Sequence, residues 1–89
     1  MTRRTIADIF AILVEECGAR ESEREDFFHH WPECVEYRFI GNLGFGGKIY
    51  CSGGKVWVSC YPEDETPERN EIIKRANVRI AALRQKENA

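Results

Sequence analysis

Three groups of residues in this chain carry chemistry worth weighing. His29, His30 and Cys34 lie close together, and Cys17, Cys51 or Cys60 could complete a metal-ligand set. Zinc sites, however, are built from paired ligands such as Cys-x-x-Cys, and the sequence has no such pair and no second histidine pair. The same residue types could make a cysteine nucleophile with a histidine base, but nothing near the cysteines marks a lowered thiol pKa. Gly44-Phe45-Gly46-Gly47-Lys48 invites comparison with a phosphate cradle. Its spacing is not that of a P-loop, and a strand pattern follows where a helix should open. It reads as a strand connection. The third group is Tyr50, Trp57 and Tyr61 with Arg38 and Lys48, the residue types that dominate protein–protein hot spots and that also stack on single-stranded bases. No metal, cofactor or catalytic residue is therefore expected, and the aromatic group is the candidate for binding.

That group must be held by a hairpin. Lys48-Ile49-Tyr50-Cys51 and Val56-Trp57-Val58-Ser59-Cys60-Tyr61 flank Ser52-Gly53-Gly54-Lys55, and a Gly-Gly pair supplies the positive φ angles of a two-residue primed turn. This turn predicts a register: Ser52 opposite Lys55, Cys51 opposite Val56, Tyr50 opposite Trp57, Ile49 opposite Val58 and Lys48 opposite Ser59. Alternation then puts Ile49, Cys51, Val56, Val58 and Cys60 on a core face, and Lys48, Tyr50, Trp57, Ser59 and Tyr61 on the other. Cys51 and Cys60 share a face but stand roughly 13 Å apart along it, beyond disulfide reach. The cysteines read as small buried hydrophobes.

Around the hairpin, Ile6, Ile9, Phe10, Leu13, Val14 and Cys17 recur at helical steps, with Thr5 or Thr2 to cap the start and Gly18 to end it. Ser22-Glu23-Arg24-Glu25 reads as a capping box for a short helix carrying Phe27, Phe28 and Trp31, closed by Pro32. Val35, Tyr37 and Phe39 alternate with Glu36, Arg38 and Ile40 as a first strand, and residues 41–47 turn back into the hairpin. After a polar loop, Thr66-Pro67-Glu68 is a helix start with a cap, a first-turn proline and an acid at the positive dipole end. Ile72, Ile73, Ala76, Ile80 and Leu83 stripe that helix, and the tail beyond Arg84 is expected to fray. The predicted fold is α+β, helices packed on a three-stranded antiparallel sheet in the order α-(α)-β-β-β-α, with residues 1–89 as a single domain. Whether the short helix covers the aromatic sheet face is left open by the sequence.

Eighty-nine residues, 43% apolar and 31% charged, describe a globular chain. Thirteen basic against fifteen acidic side chains leave a charge of −2, which argues against a nucleic-acid partner. No run is long and apolar enough for a bilayer, and no export signal is read, so free cysteines suit the cytoplasm. Charge is segregated along the chain. Residues 15–26 and 63–71 are acidic, while Lys74, Arg75, Arg79, Arg84 and Lys86 gather later. Acids near helix starts and bases near a helix end suit the macrodipole. As a functional patch, the acidic edge Glu63, Asp64 and Glu65 would instead suit a basic partner.

The stretch GNLGFGGKIYCSGGKVWVSCYPEDETPER, with the helix after it, resembles small phage and prophage proteins over residues 34–84. In size, charge and helix–sheet–helix plan the chain is similar in character to anti-CRISPR proteins, which inhibit a bacterial defence complex by occupying its surface. That resemblance implies a non-enzymatic inhibitor of host defence, acting in the bacterial cytoplasm on a CRISPR–Cas component. It carries over no functional residue. The element order also resembles the double-stranded RNA-binding domain, but where that family places lysines this chain has Glu65-Thr66-Pro67-Glu68-Arg69, which would repel phosphate. The contact residues expected are Arg38, Lys48, Tyr50, Trp57 and Tyr61, or the edge Glu63, Asp64 and Glu65. The alternative is a single-strand nucleic-acid module using the aromatic face with Arg38, Lys48 and Lys55. A homodimer through an uncovered sheet edge is a further option.

Overall fold

The computed structural model describes residues 3–30, 36–40, 46–52 and 55–88. Trp31, Pro32, Cys34, Val35, residues 41–45, the Gly53-Gly54 turn and the side chains of His30, Cys51 and Lys55 lie outside the described residues, as do Thr2 and its capping role.

Helix α1 spans Arg3–Cys17. Of its predicted stripe, Ile6, Ile9, Phe10, Leu13 and Cys17 are buried in the core, joined by Ile12, and Val14 packs partly buried against them. Gly18 ends it at φ 70°, a conformation that costs a residue with a Cβ. The Ala19 N–H then donates to the Leu13 carbonyl at 3.1 Å, and Ala19 turns inward. A 3-10 turn at Glu21–Glu23 leads into α2, Arg24–His30. The capping interaction sits two residues earlier than the sequence suggests. The Arg20 N–H donates to the Glu23 carboxylate at 3.0 Å while the Glu23 N–H donates to the Arg20 carbonyl at 2.9 Å. Ser22 lies exposed inside that turn.

Strands β1 (Glu36–Ile40), β2 (Gly46–Ser52) and β3 (Lys55–Cys60) form an antiparallel sheet in that order. The hairpin register is the one the glycine pair predicts, from Ser52 opposite Lys55 to Lys48 opposite Ser59. β1 joins with Tyr37 opposite Ile49 and Arg38 opposite Lys48. A second 3-10 turn, Pro62–Asp64, precedes α3, Pro67–Asn88. Thr66 caps α3 as expected, its hydroxyl accepting the Arg69 N–H at 3.1 Å. The tail does not fray after Arg84. Gln, Lys and Glu are strong helix formers and carry the helix on to Asn88.

One apolar cluster joins the layers: Ile9 and Leu13 of α1, Phe27 of α2, Ile49 and Val58 of the sheet, and Ala76 and Ile80 of α3. The position left open for α2 is settled by Phe27. Its ring stands edge-on to Phe10 at 5.3 Å and to Tyr37 at 5.2 Å, on the core side of the sheet. Two aromatic T-contacts and nearly complete burial hold it there. Arg24 lies over the Phe28 ring at 4.9 Å, one turn along α2, and stiffens the short helix.

The macrodipole does not explain the acids of α1. Glu15 and Glu16 occupy its last turn, the negative end, where carboxylates are disfavoured. Cross-helix bonds offset this. Arg75 meets Glu16 at 3.1 Å, and Arg79 meets Glu15 at 2.8 Å and Glu16 at 3.3 Å, clamping α1 against an antiparallel α3.

Candidate functional site: the outer face of the sheet

With α1, Phe27 and α3 on one side, the other side of the sheet carries Arg38, Lys48, Tyr50, Trp57 and Ser59, with Tyr61 just beyond β3. Tyr50 and Trp57 are direct cross-strand partners, and their rings stack at 5.5 Å with only 21° between planes. Trp57 is 37% exposed, which is high for the largest apolar side chain.

Strand geometry places the rest. Arg38, Lys48 and Ser59 form one transverse row across all three strands. Tyr61 is the diagonal neighbour of Lys48, and the ammonium sits 5.7 Å from its ring centroid, a cation–π contact. The face therefore divides into a stacked aromatic half and a basic half whose lysine is already held over a ring.

The acidic edge adjoins Tyr61. The 3-10 turn closes through the Asp64 N–H to the Tyr61 carbonyl at 2.9 Å and the Glu65 N–H to the Pro62 carbonyl at 3.2 Å. Its members are not equivalent. Glu63 and Glu65 point to solvent, whereas Asp64 is half-buried and bound by Arg69, whose guanidinium donates to the Asp64 carboxylate at 3.3 Å and carbonyl at 3.1 Å. Asp64 fastens the turn to α3. Of the residues singled out by sequence, the structure gathers Tyr50 with Trp57 and Lys48 with Tyr61, sets Arg38 beside Lys48, and gives Asp64 a structural partner.

The two thiols whose side chains are described are quiet. Burial pushes Cys17 up to about 11, with the Glu16 charge adding to it, and burial also raises half-buried Cys60. Among the described residues no group of three His, Cys, Asp or Glu is placed to hold a metal, and no helix is long and apolar enough to cross a membrane.

Sequence reasoning missed Asn77. Its carboxamide accepts from the Val58 N–H at 2.6 Å and donates to the Val58 carbonyl at 3.0 Å, closing both outward groups of an edge residue. The available signal was a polar residue wedged into an apolar stripe, between Ala76 and Ile80. Also unread was the bond from the buried Tyr37 hydroxyl to the Asp26 carboxylate, 3.2 Å, which ties β1 to α2. No protein-family model, curated protein or solved structure matches the chain.

Proposed function

We propose that this protein is a non-enzymatic binding module that docks its outer sheet face on a partner protein and blocks it. The observation that carries the reading is the Tyr50–Trp57 stack on the outer face of the sheet, with Trp57 exposed. Two aromatic side chains already locked against each other lose little further freedom on binding, and rigid aromatic anchors supply most of an interface's energy. Glu63 and Glu65 form an acidic rim beyond Tyr61, at the far end of β3 from that anchor, which suits a partner whose surface turns basic along the strand. A nucleic-acid-binding protein presents such a surface. The resemblance to phage proteins of the anti-CRISPR type supports a bacterial defence effector as the partner, met in the host cytoplasm.

The test is inhibition of target cleavage by purified CRISPR effectors, together with calorimetric titration. Trp57→Ala should stay folded, its melting temperature lowered by several degrees through loss of the cross-strand stack, and should weaken binding by roughly thirtyfold, about 2 kcal/mol. Equal inhibition by wild type and variant, or no effector bound, would remove the reading.

One observation favours a second reading. The exposed Trp57 indole, on the same sheet face as Arg38, offers a base-stacking platform. That version requires a mobility shift with single-stranded oligonucleotide that weakens steeply with salt. The net charge of −2 and the acidic rim rank it below the protein partner.

A further inference from the structure

The helical layer has an outer face of its own, opposite the sheet. A groove runs along it between α1 and α3, with Ala11 and Ala82 at its surface and Ile12 and Leu83 beneath them. Val78, one turn from Ala82, is 63% exposed. Small side chains of this kind let another helical layer approach closely.

The two walls of the groove differ in sign. Asp8 and Glu15 stand on the α1 side, with Arg4 one turn beyond Asp8 at its end, and Arg79 and Lys86 stand on the α3 side. From residue 74 to residue 86, α3 holds five basic residues and no acid. Because the helices are antiparallel, acid and base also lie at matching heights. Glu15 is bonded to Arg79 at 2.8 Å, and Asp8 shares the groove's other end with Lys86.

We infer that this face is a self-complementary interface for a second copy of the chain. A two-fold axis laid over the groove, parallel to the helices, carries each α1 onto the other copy's α3 without changing heights. Asp8 of one copy then meets Lys86 of the other, and Glu15 meets Arg79, twice each by symmetry. An interface that maps one patch onto itself in this way is the isologous arrangement of most homodimers. No other rotation in the plane of the layer gives this result. An axis across the helices stacks α1 on α1 and α3 on α3, setting like charges face to face. The exposed alanines let the two layers come into contact, and the opposed charges fix which helix faces which.

Sedimentation equilibrium of the full chain at low salt should show a reversible dimer that loosens as salt is added. Asp8→Lys and Lys86→Glu should each weaken dimerisation about tenfold or more, since each sets two like-charge pairs across the interface. An equimolar mixture of the two variants should restore it, because every reversed charge then meets its complement in the other chain. Restoration by mixing has no explanation within a single molecule, so it separates association from folding. Ala82→Arg should block assembly sterically while leaving the far-ultraviolet spectrum unchanged. A chain that stays monomeric at every concentration, a dimer indifferent to both charge reversals, or a mixture without recovery would overturn the proposal.

Discussion

Val58 lies on an outermost strand, where its peptide groups would otherwise face water, and a single carboxamide from α3 takes both. Truncating Asn77 to alanine leaves that donor and acceptor without their partner beneath a helix. We expect Asn77→Ala to lower stability by about 1–3 kcal/mol in urea titration, with faster hydrogen exchange at the Val58 amide. Cys17 gives a second residue-scale expectation. With its thiol pushed up to about 11, only about one part in a thousand is thiolate at pH 8. Iodoacetamide should leave Cys17 unmodified in the folded protein and label it in urea, read by peptide mass spectrometry. Labelling of Cys17 in the native state at the rate of a free thiol would contradict its placement. The inward direction of Cys17 was legible because helical spacing alone sets it. The role of Asn77 was not, since nothing local says that a polar residue on an apolar stripe faces a strand edge.

Among the elements, α1 and α3 are held by the cluster of Glu15, Glu16, Arg75 and Arg79. Glu16, 20% exposed, has its carboxyl held below the ordinary 4.5 by the Arg75 hydrogen bond, with Arg79 assisting. A lowered carboxylate pKa stabilises the folded state fully above the unfolded value and loses that contribution as pH falls through the folded one. Glu16→Gln should therefore cost about 0.5–1 kcal/mol at pH 7, the size left after solvent screening. The gap to wild type should hold down to about pH 5 and close below the carboxylate range. Melts of both proteins at pH 7, 5 and 3 measure it, and a gap independent of pH would show that packing and not charge is responsible. Element starts and stops that depend on neighbours in sequence, such as Thr66-Pro67 and Gly18, could be read in advance. The Glu15–Glu16 clamp could not, because it joins residues some sixty positions apart and requires the antiparallel setting of two helices.

For the molecule as a whole, the division into two layers followed from the hydrophobic periods: 3.6 in α1 and α3, two in the strands. The side taken by α2 did not, since Phe27 and Phe28 are adjacent apolar residues with no period to orient them, and contact with Phe10 and Tyr37 decides it. The hairpin register has the widest reach. In β2 the inward positions carry odd numbers, Gly47 and Ile49, whereas in β3 they carry even ones, Val56 and Val58. The change of parity across the bend gives the sheet a frame, in the sense that a message has one. One extra residue inserted beside Gly53 shifts that frame if the two-residue turn is kept, driving an indole toward the helices and valines toward solvent, so such a chain should trade the tight turn for a three-residue loop or slip. Two extra residues put every side chain back on its own side, and that longer-looped version should fold.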